Sequence, residues 1–82
     1  MRIPVKHRLK IWPEFFEAVL SGKKTFEIRK NDRDYQVNDL LLLQEYNPET
    51  EEYTGRELLV EVTYITDFGQ PENQVVMSIV KV

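Results

Sequence analysis

The chain has no cysteine and only one histidine, His7, in 82 residues. Thiolate zinc sites and disulfide frameworks are therefore excluded. One imidazole without thiolates cannot assemble the common transition-metal sites unless several carboxylates join it, so neither a metal nor a cofactor is expected. Long hydrophobic runs are absent as well. No stretch reaches the length of a membrane span, and Met1 to Val5 carries no signal-peptide apolar region, so a soluble, cytoplasmic chain without membrane contact is expected. Ser21 and Ser78 have no nucleophile motif around them, which leaves a serine–histidine–aspartate arrangement without support. Asp32 and Asp34 do not open a calcium loop, because Val37 stands where such a loop needs glycine.

What the chain does have is charge, unevenly placed. The net charge is −3, yet residues 1–33 hold nine Lys/Arg against four Asp/Glu, and residues 34–82 hold two against ten. That distribution suits a basic binding face and an acidic back, the latter available to a protein partner. The length allows one domain, residues 1–82, burying roughly two thirds of its unfolded surface.

His7, Leu9 and Ile11 alternate with Arg8 and Lys10, which predicts a first strand with a basic outer face. Trp12 before Pro13 favours extended geometry and then a helical start, so a helix is expected from Pro13 to about Leu20 or Ser21. Gly22 supplies the left-handed residue that ends it. A second strand follows over Thr25 to Lys30, with Phe26 and Ile28 expected inside and Thr25, Glu27 and Arg29 outside. Asn38 marks a turn before the strand Leu40–Tyr46, which is apolar on both faces and so expected to be central. A turn at Asn47–Thr50 leads through Tyr53–Arg56 into a long strand, Glu57 to Thr66. In it Leu58, Val60, Val62 and Tyr64 form one face. A loop with Gly69 and Pro71 precedes a last strand, about Gln74 to Lys81. Short strands with one early helix predict a mainly β, α+β fold: a compact, mostly antiparallel barrel capped by the N-terminal helix.

Lys24, Glu27 and Arg29 form the central charged set. Lysine and arginine there offer a point charge and a planar fork for phosphate or a base edge, and Glu27 would orient them or accept from an exocyclic amine. The competing reading is a solvated salt-bridge ladder. Lys10, Arg33 and His7 are further candidates. Among the aromatics, Phe15, Phe16 and Tyr64 are expected to pack, whereas Trp12, Tyr35 and Phe68 lie at element ends and could line a cleft.

The spacing Gly22-x-Lys24-x-x-Glu27-x-Arg29 resembles the signature of the ASCH domains, a branch of the PUA-like superfamily. Val37-Asn38-Asp39 is similar to that group's Val-Gly-Asp turn. Together with His7-x-Leu9-Lys10-Ile11, the Phe15-Phe16 helix, Lys24 to Asp34 and Tyr53-Thr54-Gly55-Arg56-Glu57, the chain most closely resembles a family of small uncharacterised ASCH-like proteins of bacteria and their phages. The resemblance implies a PUA-like β-barrel whose cleft beside the helix, lined by Lys24, Glu27 and Arg29, binds RNA or a nucleotide-like ligand. One ASCH subgroup of similar size hydrolyses acetylated cytidine, which makes an amidohydrolase acting on a modified nucleoside the alternative. Glu27, however, occupies the position of that subgroup's catalytic threonine, and its further glutamate falls in a segment that is shortened here to 67–73.

Overall fold

The computed structural model describes residues 2–82; Met1, the first residue of the expected domain, lies outside them. The chain runs β1 (Lys6–Ile11), α1 (Pro13–Leu20), β2 (Phe26–Lys30), β3 (Leu40–Asn47), β4 (Glu52–Thr66) and β5 (Gln74–Lys81). The strands form one five-stranded sheet in the order β1-β3-β4-β5-β2, curled into a half-barrel with the helix at one end. Three of the four pairings are antiparallel; β1 runs parallel to β3.

The helix begins as Trp12 and Pro13 dictate. Trp12 is the extended N-cap residue, and its carbonyl accepts from the Phe15 and Phe16 amides. The helix ends at Gly22, whose φ of +82° lets the chain turn while the Lys23 and Lys24 amides both donate to the Ala18 carbonyl. Phe16 and Val19 are driven into the concave side of the sheet, where they join Leu9, Ile11, Leu41, Leu43, Val60, Val62, Met77 and Ile79. Each is nearly or wholly removed from water, and for side chains of this size that contributes about 1.5–3 kcal/mol apiece.

Two strands depart from simple alternation. In β4 the register shifts between Val62 and Tyr64, so Tyr64, expected inside, stands 63% exposed while Ile65 packs toward the core. A bulge inserts one residue and reverses every side chain beyond it. In β2 the expected faces are exchanged: Glu27 is 3% exposed, whereas Phe26 and Ile28 are 41% and 47% exposed. The cause lies across the gap between the sheet's two edges. The chain pairs with β3 from just before β1, where the Leu40 amide donates to the Val5 carbonyl, and this register leaves the Arg8 and Lys10 carbonyls on the free edge. No ladder joins β1 to β2, and long donors from β2 and the loop after it reach across instead. Arg29 Nη2 donates to the Lys10 carbonyl at 2.9 Å, and Arg33 Nη1 to the Arg8 carbonyl at 2.7 Å. Edge carbonyls need donors, so this side of β2 carries charge rather than hydrocarbon.

The turn before β3 rests on Asn38, at φ +79°. Its amide donates to the Val62 carbonyl, and the next residue's carbonyl accepts from the Val62 amide, fixing the turn to β4. Asn38→Gly should leave the melting temperature nearly unchanged. Asn38→Val, β-branched and at positive φ, should cost about 1–3 kcal/mol in a thermal or denaturant melt.

Candidate functional site

The gap between β1 and β2 opens, beside the helix, into a cleft of about 610 Å³. Its walls come from elements that the sequence places on opposite sides of the helix. Trp12 and Phe15 contribute from the helix start, their rings stacked with centroids 6.5 Å apart. Phe26 and Ile28 contribute from the outward face of β2, which is why their exposure matters.

Between these walls lies the charged set. Glu27 is buried and accepts from Lys24 Nζ at 2.6 Å through one oxygen and from Arg29 Nε at 2.9 Å through the other. Lys24 Nζ also donates to the Phe26 carbonyl at 2.6 Å and lies 4.8 Å from the centre of the Phe26 ring. The carboxylate therefore fixes both cations. An ammonium has three N–H groups and a guanidinium five. Among the described residues, two of the first and two of the second are engaged, which leaves donors from both cations for a ligand. Lys10 and Lys23 line the same cleft. Lys10 Nζ sits 4.0 Å from the centre of the Tyr46 ring, a contact that holds its charge at the rim.

The other candidates lie elsewhere. Arg33 does not line the cleft; it bridges the gap farther from the helix through the Arg8 carbonyl. His7 is buried and donates through Nε2 to Asp39 at 2.9 Å, with its ring edge-on to Tyr35 at 4.8 Å. Tyr35, expected near a cleft, is a core residue, and burial raises its phenol above the ordinary range despite the opposing field of Arg33. Phe68 is exposed and apart from the cleft, and Phe15 is a cleft residue rather than a packing one.

Two buried carboxylates outside the cleft hold the scaffold. Asp39 is fully buried and accepts from Arg2 at 2.6 and 3.3 Å, from the Val5 amide at 3.0 Å, from His7, and from the Gln36 amide at 3.1 Å. Burial alone would raise its pKa; these donors outweigh burial and hold it well below the usual carboxylate range. Glu45 accepts from Arg56 and from Thr54, bonds that lower its pKa. Arg56 also donates to Glu17 on α1 and lies 4.7 Å from the centre of the Phe16 ring, pinning the helix over the sheet.

The residues missed in the sequence are Phe15, which reads as a packing residue of the helix, and on β2 Phe26 and Ile28. Ordinary alternation assigns the β2 pair to the core, and only knowing that β2 is an edge strand facing β1 would have reversed them. Among the described residues there is no metal-ligating cluster, and no helix is long and apolar enough to cross a membrane.

Comparison with known proteins gives two findings. A family model described as a domain of unknown function, DUF3850, matches residues 6–79. An uncharacterised 12.9 kDa protein in the GpA 3' region of Escherichia phage P2 is 39% identical over 63 residues, which cover 77% of this chain and 56% of the relative. The chain thus spans little more than half the length of that curated protein.

Proposed function

This chain belongs to the DUF3850 family, and from that premise we propose that it is an RNA-binding module which takes one nucleotide unit into the cleft between β1 and β2. We place it beside the ASCH domains of the PUA-like superfamily on the Gly22-x-Lys24-x-x-Glu27-x-Arg29 signature. The observation that carries the reading is the meeting of exposed aromatic walls with two cations oriented by one buried carboxylate. Aromatic faces take a base by stacking irrespective of its identity. Lys24 and Arg29 supply charge-assisted donors to a phosphate or to a base edge. The amidohydrolase alternative gains nothing here, because both oxygens of Glu27 are occupied by cations and the position is not threonine.

Lys24→Ala and Arg29→Ala should each weaken binding of a labelled oligouridylate in fluorescence anisotropy. If each cation meets a phosphate, each variant should also flatten the dependence of log affinity on log salt by about 0.7, the value for one phosphate of a single strand. Unchanged affinity and unchanged slope in both variants would reject the proposal.

A further inference from the structure

Beyond the cleft the outward faces of β1 and β2 continue, and their composition changes along the strands. Moving away from the helix, the outward side chains of β2 are Phe26, Ile28 and then Lys30, and those of β1 are Lys10, Arg8 and Lys6. The β2 side thus passes from aromatic and aliphatic to cationic, while the β1 side is cationic throughout. The Arg29 and Arg33 guanidiniums cross between the two edges, each tied to a β1 carbonyl. Lys6, Arg8, Lys23, Lys30 and Arg33 make no salt bridge among the described residues, although the chain as a whole is acidic. By contrast, Lys24 and Arg29 are paired with Glu27. Uncompensated cations drawn into one file, in a protein of net charge −3, suit a polyanion better than a single phosphate.

We propose that this file of cations forms a channel along β1 and β2 that binds a single strand of RNA, with one base in the aromatic end and the later phosphates along Arg8, Lys30 and their neighbours. This rests on the nucleotide reading of the cleft and adds the path that the rest of the strand takes. A single strand is chosen over a duplex because the base-binding walls require an unpaired, unstacked base.

The test is fluorescence anisotropy of the full chain with fluorescein-labelled oligouridylates of two and about eight nucleotides, across a range of salt. The side chains of Arg8 and Lys30 are exposed and make no hydrogen bond among the described residues, so Arg8→Gln with Lys30→Gln should fold as the parent does, which a thermal melt checks. The longer oligomer should bind at least about tenfold more tightly than the dinucleotide. The double variant should lower its salt slope by about 1.4, corresponding to two phosphates, and should cost the longer oligomer more affinity than the dinucleotide. Equal affinity at both lengths, an unchanged slope in the double variant, or equal binding of a duplex of the same length would overturn the strand. The outcomes also separate the two proposals. Loss of both oligomers in Lys24→Ala without a length effect keeps the cleft and removes the channel. Binding of the longer oligomer that depends on Arg8 and Lys30 but not on Lys24 keeps the channel as a phosphate surface and removes the cleft. Binding of neither removes both.

Discussion

Replacing Asp39 with asparagine should destabilise the protein by about 3–5 kcal/mol, the largest loss of any single conservative change at a polar position. The carboxylate is fully buried and meets only donors: a guanidinium, an imidazole N–H and two backbone amides. An asparagine amide must turn its own NH₂ toward some of them, leaving a buried donor against a donor and the Arg2 charge without its partner. In a domain of this size such a loss lowers the melting temperature by some 12–40 °C. The pH dependence gives a second readout. Because the folded-state pKa of Asp39 is depressed, its contribution is complete above the unfolded value of about 3.9 and is lost as pH falls below it. The gap in stability between parent and Asp39→Asn should therefore be widest near neutrality and narrow on acidification below about pH 4. A difference under about 1 kcal/mol at neutral pH, or a gap that does not narrow in acid, would show that the carboxylate is not what holds this corner together.

That corner explains the placement of His7 and of the segment before β1. As a lone histidine in a basic strand it reads as a ligand contact, yet its inward register puts it beside Asp39, where it donates to a structural carboxylate. Local patterns made most of the fold legible. The Trp12-Pro13 start, the Gly22 stop and most strand boundaries follow from φ preferences and side-chain period, and the structure agrees to within a residue or so, except that β4 begins at Glu52, five residues before the expected Glu57. What was not legible depended on pairing. Which strands become edges decides that Phe26 and Ile28 face outward, and a bulge after Val62 decides that Tyr64 does. Alternation assigns residues to two faces, but it cannot say which face meets the core when the other meets a facing edge. The charged set was legible as a group because Glu27 and Arg29 share a face at spacing two and Lys24 lies one helix exit away. Their aromatic surroundings were only half legible, because Phe15 and Phe26 read as core.

The sign of the effect of Glu27→Gln on RNA binding distinguishes an oriented site from a merely basic one. On net charge alone, removing a carboxylate from between two cations should strengthen the attraction of a phosphate, and affinity should rise. On orientation it should fall. Glutamine can accept through its single oxygen from Lys24 or from Arg29, while its NH₂ confronts the other as a second donor. One cation then loses the contact that aims it into the cleft. Each keeps a backbone tether, Lys24 to the Phe26 carbonyl and Arg29 to the Lys10 carbonyl, so the fold should persist while the two charges lose their fixed relation. The expected result is a loss of about tenfold in affinity, near 1.4 kcal/mol, despite a gain of one positive charge at the site. Unchanged affinity would reduce the Lys24–Glu27–Arg29 set to a surface ladder, and stronger binding would make it a diffuse basic patch. Only weakened binding, with circular dichroism and the melt of the variant close to those of the parent, fits a carboxylate that is kept to position two donors rather than to hold the sheet. Glu27 is buried between the two cations, and a neutral acceptor could hold only one of them, while an apolar residue would leave each with its backbone tether alone.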